Sequence, residues 1–486
     1  MAVQGEESGG ASPGGPPAEG VRRGLAAPGA WAVLAVAAAV HLLDSSDRWL
    51  LPAVARPLCE ELNLGDAQGG WLATLLLLSY AAWSPVAGYL ADRIHRPRLL
   101  AVGIAVWGLA AVGTGLARSY DELQVARALV GAGGATAGVV SLTLIMDLFP
   151  AGRRGPALAA YYLGMPAGAA IGMGPGAALA GATAWQMAFL LVGAPGLALA
   201  LAALLLPEPT RGRAEGIDEA RLRRHEAAGP SREDYEDLMV NSSYTYSVFG
   251  LAFAMFAIGG LVYWLPAFLR AVHGLPDARV AGVIGLIVPA AAAAGIAAGG
   301  WAASREVPRP RLLFLVPGLA VLASLPLLAL TALGRGERAV LVGAAGTVGL
   351  LFTTIVPCFA ILASVVMPNM RGVAAAVAVA AAHLLGDIWS PGLMAWVAGE
   401  FGEPDAMATA FGRVLAAAGA VPVEAGPDAG PLNYAAALLA AAPAIAIAGV
   451  VLLSGARHLP RERALMLATL RAVPRRLHPL KPPTQK

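Results

Sequence analysis

Twelve apolar runs, each long enough to cross about 30 Å of hydrocarbon, constrain this chain more than any other feature of it. They cover residues 28–55, 68–91, 98–117, 121–149, 155–181, 185–206, 242–270, 279–303, 311–333, 338–366, 372–399 and 431–454. Lipid offers no water to satisfy backbone N–H and C=O groups, so runs of this kind must be helices. Hydrophobic residues make up 57% of the chain and charged ones only 13%, against about 25% charged in a soluble domain. The expected fold class is therefore an all-α membrane protein with twelve transmembrane helices. Alanine and glycine dominate most runs, which suits close backbone approach between helices in lipid.

One long hydrophilic connection, 207–240, carries Arg211, Glu215, Asp218, Glu219, Arg221, Arg223, Arg224, Glu233 and Asp234, and it divides the runs six and six. The two blocks repeat. The segment G-Y-L-A-D-R-I-H-R-P-R-L-L at 88–100, after the second run, returns as G-W-A-A-S-R-E-V-P-R-P-R-L-L at 300–313, after the eighth; Arg154-Gly155 after the fourth returns as Arg371-Gly372 after the tenth. Such repeats imply two parallel, pseudo-symmetric six-helix bundles, the arrangement of the major facilitator superfamily. The expected organisation is a disordered cytoplasmic tail (1–27), an N-terminal bundle (28–206), a cytoplasmic linker (207–240), a C-terminal bundle (241–455) and a basic cytoplasmic tail (456–486). Lys and Arg concentrate on alternate connections, from Arg22 and Arg23 through Arg153 and Arg305 to the tail beyond Arg457. By the positive-inside rule both termini are cytoplasmic, and the expected location is the inner (plasma) membrane. Residues 457–476 alternate Arg with Leu, Met, Ala and Val, so they form either a basic amphipathic helix along the inner leaflet or a disordered basic tail.

Inside the apolar runs, charge is rare and therefore informative. The first run contains H-L-L-D-S-S-D-R, which places His41, Asp44, Asp47 and Arg48 at bilayer depth. An ionisable residue there costs at least about 2.5 kcal/mol, so this group must face a protein interior or a wet cavity. Arg127 in the fourth run cannot shed its charge and needs an acid, for which Asp47 is the natural partner. Arg48 points about 100° away from Asp47 on a helix, so the two cannot share one face. His383 and Asp387 lie i and i+4 in the eleventh run and share a face, which makes the imidazole a candidate proton carrier. Tyr162, Tyr263 and Trp389 are candidate cavity aromatics, with interfacial anchoring as the alternative. The chain's asparagines and glutamines all fall in connections or near span ends, so the cavity lacks the amides that a sugar's hydroxyls would need. A charged group amid Leu, Val, Ala, Phe and Met suits an amphipath with a small charged head.

The sequence resembles the Spinster family of lipid transporters within that superfamily. Gly88, Leu90, Ala91, Asp92, Arg93 and Arg96 look like the superfamily's loop signature, and Asp47-Arg48, Arg127-Ala-Leu-Val-Gly, Asp147-Leu-Phe, Tyr161-Tyr-Leu-Gly-Met-Pro166, Tyr263-Trp-Leu-Pro-Ala-Phe-Leu269 and His383-Leu-Leu-Gly-Asp387 with Ser390-Pro391 carry the closer likeness. The resemblance implies a cytoplasmic gate built from Asp92 and Arg93, with Asp147 and Arg154 completing it. It also implies transport of a lipid-like organic anion, such as a lysophospholipid or sphingoid-like molecule, by alternating access. One departure stands out: where the family's fourth span usually reads Gly-x-Gly-Glu, this chain reads Gly131-Ala-Gly133-Gly134. Without that acid, Arg127 should hold Asp47 ionised, and proton coupling, if there is any, falls to His383 with Asp387; uniport is the alternative. An exporter of drugs or metabolites, or a sensor or scaffold that has lost transport, are rival readings of the same fold. Nothing points to an enzyme, a cofactor or a metal site: no nucleophile elbow, phosphate-binding glycine loop or ligand spacing occurs. The expected partners are membrane lipids, a small amphipathic substrate and protons, with no nucleic acid and a monomeric state.

Overall fold

In a computed structural model, residues 26–182, 184–424 and 430–472 are described. Among the described residues, eleven apolar helical spans are long enough to cross a membrane: span 1 (Ala30–Glu61), span 2 (Ala67–Ala91), span 3 (Arg96–Leu116), span 4 (Tyr120–Leu148), span 6 (Trp185–Ala203), span 7 (Ser242–Ala271), span 8 (Asp277–Ser304), span 9 (Leu312–Leu333), span 10 (Glu337–Val365), span 11 (Pro368–Glu400) and span 12 (Tyr434–Gly455). Span 5 is the twelfth and is segmented into Ala151–Tyr162, Gly164–Ile171, a π-helical turn Gly172–Gly176 and Ala177–Ala182. Its G-M-G-P-G turn combines the helix-breaking residues of the run, with Pro175 inside the π turn. Span 11, its counterpart in the second half, carries its own π segment at Ala382–Asp387, with Gly386 at φ −104°, ψ −105°. Both corresponding helices are thus deformed at membrane depth, where small residues leave the ladder least constrained.

Polar caps fix several helix starts. Ser119 accepts from the Glu122 N–H at the start of span 4, and Asn241 accepts from the Tyr244 N–H at the start of span 7. The 207–240 connection contains two helices, Glu219–Ala228 and Arg232–Val240. A further helix, Leu459–Arg471, follows span 12. Its Met466 and Leu470 pack on Leu222 of the connection rather than lying open to a leaflet, because Leu222 gives that apolar face a protein partner. Glu462 accepts from the N–H groups of Ser242 and Ser243, joining this helix to span 7. The rest of the basic tail, 473–486, and nearly all of the 1–27 stretch lie outside the described residues.

The halves meet along two seams on the side that bears the termini. At the first, span 2 packs on span 11, where a Cβ on Gly88 would meet Ala376 Cβ and the Gly372 carbonyl at 2.5 Å. At the second, span 5 packs on span 8, where a Cβ on Gly155 would lie 2.7 Å from the Gly300 carbonyl and from Ala303. These glycines occupy corresponding places in the sequence repeats, so pseudo-symmetry is built into the packing itself.

Candidate functional site

The polar centre lies halfway along span 1. Asp47 and Arg127 are both fully buried and form a two-point ion pair, with Nη2–Oδ2 at 3.0 Å and Nη1–Oδ1 at 3.2 Å. The guanidinium also lies 5.7 Å from the Phe189 ring. One residue on, Arg48 turns to the other face as expected. Its Nε is 3.2 Å from Asp44 Oδ2, and its guanidinium sits 4.4 Å above the Tyr80 ring. Tyr80 in turn presents its face or edge to His383, 5.1 Å away in the opposite half, and His383 Nδ1 lies 3.0 Å from both Asp387 oxygens. The order Asp44, Arg48, Tyr80, His383, Asp387 is therefore a contact chain that crosses from one bundle to the other. His41 stacks on Tyr161 at 4.4 Å, and Tyr162 stacks across the halves on Phe359 at 5.5 Å. Beside the cluster, Trp49, Met165 and Met173 face Val262, Ile284, Val288 and Phe352 across an apolar cleft of about 40 Å³.

On the side bearing the termini, charge is dense. Asp92, at the end of span 2, accepts from the N–H groups of Gly372 (2.7 Å) and Val373 (2.8 Å) at the start of the span 11 helix. Burial pushes its carboxyl up to about 7, against the opposing pull of those two donors and of Arg211 and Arg96. Asp147 joins both halves, with Arg96 on one side, Arg371 at 2.8 Å on the other, and the Gly212 N–H at 3.0 Å. Gly212 reaches it with φ +77°, a left-handed conformation that glycine adopts without strain. Arg154 and Arg371, the repeat-related pair, converge on one oxygen of Glu215 at 2.7 and 2.6 Å. Burial alone would raise the Glu215 carboxyl, but the two guanidiniums outweigh it and hold the group below the usual carboxylate range. Glu306 adds an ion pair to Arg154 at 3.6 Å and accepts from Ser364 at 2.7 Å.

The sequence-expected residues divide accordingly. Asp44, Asp47, Arg48, Arg127, His383, Asp387, His41 and Tyr162 come together at the centre, and Asp92, Asp147 and Arg154 come together at the seams. Arg93 does not join the buried network; it lies exposed over the Tyr89 ring and reaches Tyr235 of the connection. Tyr263 and Trp389, each 65% exposed, stand outside the contact chain. Sequence reasoning missed Tyr80, Glu215 and Glu306. The Arg154/Arg371 repeat was the one signal that a shared acid was needed.

The sequence profile of the Major Facilitator Superfamily matches residues 36–391. Spinster homolog 3 of Mus musculus is 31% identical over 386 residues, covering 74% of each chain, and spinster homolog 1 of Rattus norvegicus is 32% identical over 410 residues, covering 78% of this chain and 75% of its own. This chain belongs to the Spinster family of the major facilitator superfamily. Among solved structures, a bacterial homolog of the human lysosomal transporter Spinster, in an inward-facing and unoccupied conformation, matches with TM-score 0.55 at 22% identity over 92% of this chain and 98% of its own. A proton:xylose symporter matches with TM-score 0.64 at 16% identity over 89% and 95%. As a Spinster-family member, the protein is a multi-pass membrane transporter of the alternating-access type. The all-α, twelve-helix, two-bundle fold expected from the sequence is the fold found.

Proposed function

We propose that this protein carries an amphipathic, lipid-like organic anion across the membrane. The observation that carries the reading is the pairing of one exchangeable cation with apolar walls. Arg127 is consumed by a two-point pair with Asp47, whereas Arg48, with 23% of its side chain exposed, has its one ion pair among the described residues within its own helix, to Asp44. The cleft that the neighbouring Trp49 lines offers Met, Val, Ile and Phe from both halves and no amide. A small anionic head on Arg48 with its chain in that cleft satisfies both features, where a sugar would leave hydroxyls unpaired at about 1–3 kcal/mol each.

The basic connections support a cytoplasmic location for the side bearing the termini, and this reading puts the protein in the inner, plasma membrane. The conformation described is then closed to the cytoplasm by the two seams, and the 207–240 segment is a cytoplasmic linker whose Glu215 is part of the lock. The transporter works as a monomer on a substrate that reaches it from the lipid phase.

Flux of oleoyl-lysophosphatidylglycerol into liposomes containing the purified protein tests the substrate class. Saturable flux that falls sharply in Arg48→Ala supports it; equal flux in the variant, or flux of a cationic dye only, removes it. Accessibility of a cysteine at position 225 from outside the cell would invert the topology.

A further inference from the structure

The position where an acid is missing is not empty. A Cβ built on Gly134 of span 4 would lie 2.7 Å from Asp44 Oδ1 and 3.3 Å from Tyr80 Cε2. The carboxylate of Asp44, from the facing span 1, already fills the space into which a side chain at 134 would grow. Asp44 is 6% exposed, and while its Oδ2 faces Arg48, its Oδ1 has no hydrogen-bond partner among the described residues.

That free oxygen borders a cavity of about 10 Å³ lined by His41, Asp44, Tyr80, Trp107, Gly134, Ser141 and Tyr161, about the room one water needs. Three more polar atoms on the same lining lack a partner among the described residues: His41 Nε2, Trp107 Nε1 and Ser141 Oγ. Four residues that line this water-sized space thus each carry a buried polar atom without a partner among the described residues, where native interiors leave few such groups unsatisfied. The charged and titratable groups facing Asp44 are His41, Asp47 and Arg48 on its own helix, Tyr80 on span 2, Arg127 on span 4, Tyr161 on span 5 and His383 on span 11. Of the cations, Arg127 is committed to Asp47, so Arg48 is the one whose pairing depends on the charge of Asp44.

We propose that Asp44 is the proton-carrying carboxyl of this transporter, displaced from span 4 to span 1. On the open side, water delivers a proton that forms an O–H bond on Asp44. The carboxyl becomes neutral, Arg48 loses its nearest counter-ion and keeps only the longer-range attraction of Asp387, and its guanidinium takes the anionic head. After the halves rock, the head leaves, the proton returns to water, and Arg48 pairs again with the carboxylate. One proton travels with one negative charge, so the cycle is electroneutral symport. This last part rests on the anionic-substrate reading above; the site of protonation does not.

Two measurements separate the claims. The pH-difference infrared spectrum of the purified protein should show a buried carboxyl band that vanishes in Asp44→Asn, shifts in Asp44→Glu and returns in the double variant Asp44→Ala/Gly134→Glu. In liposomes, a pH gradient should drive oleoyl-lysophosphatidylglycerol toward the alkaline side in the native protein and the double variant. Asp44→Asn should lose that accumulation. Gly134→Glu alone should be damaging, because its side chain and charge meet Asp44. A band and a pH-driven flux that persist in Asp44→Asn and disappear in His383→Gln would overturn the proposal in favour of the span 11 pair. An Asp44 band that behaves as expected in a protein that moves no lysophospholipid would instead sustain the protonation site and sink the substrate reading.

Discussion

The two seams that shut the side bearing the termini are built from the same repeat and held in different ways. At spans 2 and 11, Gly88 packs on Gly372 and Ala376, and Asp92 accepts from Gly372 and Val373. At spans 8 and 5, Gly300 and Ala303 pack on Gly155, but Ser304 stands where the repeat has Asp92, and its hydroxyl is spent on its own helix at the Trp301 carbonyl, 2.6 Å away. The receiving residues differ as well: Arg371-Gly372-Val373 on one side, Arg154-Gly155-Pro156 on the other. Proline has no N–H to give, so the second seam could not have offered a carboxylate the same two donors. Steric complementarity was kept across the repeat, while the electrostatic clasp survived only where the backbone could supply it.

Glu215 ties the two seams together, and its removal should have the largest effect. Glu215→Ala removes the acid that Arg154 and Arg371 share and leaves each with one acid, Glu306 and Asp147 respectively, so the loss stays below the about 3–5 kcal/mol of a fully unpaired buried charge. The expected outcome is a shift to the form open on this side, read as a lengthened distance between spin labels at Ile94 and Val307, both exposed. An unchanged distance distribution in a folded variant would show that the linker is a bystander. The pH range of this contact follows from the lowered Glu215 carboxyl: its contribution is present above the ordinary glutamate range and is lost only as pH falls below it.

Glycine substitutions come next and should hit both seams alike. Gly88→Val and Gly155→Val each drive a side chain into backbone of the partner helix, and overpacking of this kind costs about 1–3 kcal/mol. Equal opening in the two variants sharpens the view that sterics is the shared part; a large effect in one alone would break it.

Asp92→Ala should then act at one seam only, since it strands one buried and one half-buried N–H group, at about 1–3 kcal/mol for the buried one and less where water enters. The native seam should also respond to pH. Closed, the Asp92 carboxyl sits at about 7; opened to water, it returns to about 3.9. The closed form therefore binds the proton more tightly, so acidification from 7 toward 4 favours closure and raising pH through 7 removes that preference. In spin-label titrations of Asp92→Ala the dependence should be gone; a titration that persists belongs to another group.

Much of this architecture was legible in the residues, for reasons that also explain what was not. Helix count and bundle division follow from run length and from one hydrophilic break, both of which are local properties. The Asp47–Arg127 pair could be anticipated because two lone charges at depth have few alternatives. Glu215 could not: it is one of several acids in a charged connection, and only the fold carries it between two arginines. Asp44 was half legible. The absent acid at Gly134 is a fact of one helix, but its replacement arises from the apposition of spans 1 and 4, which no spacing rule encodes. Arg93 misled in the opposite direction, since its motif position gives no measure of burial.

The smallest expected effect is the sharpest control on the comparison. Ser304→Ala removes a hydroxyl that bonds only within its own helix and should change the open and closed populations by no more than about 0.5 kcal/mol. Ser304→Asp restores the missing carboxyl of the repeat, yet Pro156 leaves it at most one backbone donor on the facing helix, so it should neither tighten the second seam nor give it the pH response of the first. If Ser304→Asp instead produced a second pH-dependent closure in an Asp92→Ala background, the asymmetry would lie in the acid alone and the backbone donors would be incidental. If the combination Ser304→Asp with Pro156→Val gained that closure where Ser304→Asp did not, the donor argument would be carried directly: the second seam lacks its clasp because Pro156, inside the Ala151–Tyr162 helix, has no N–H to give.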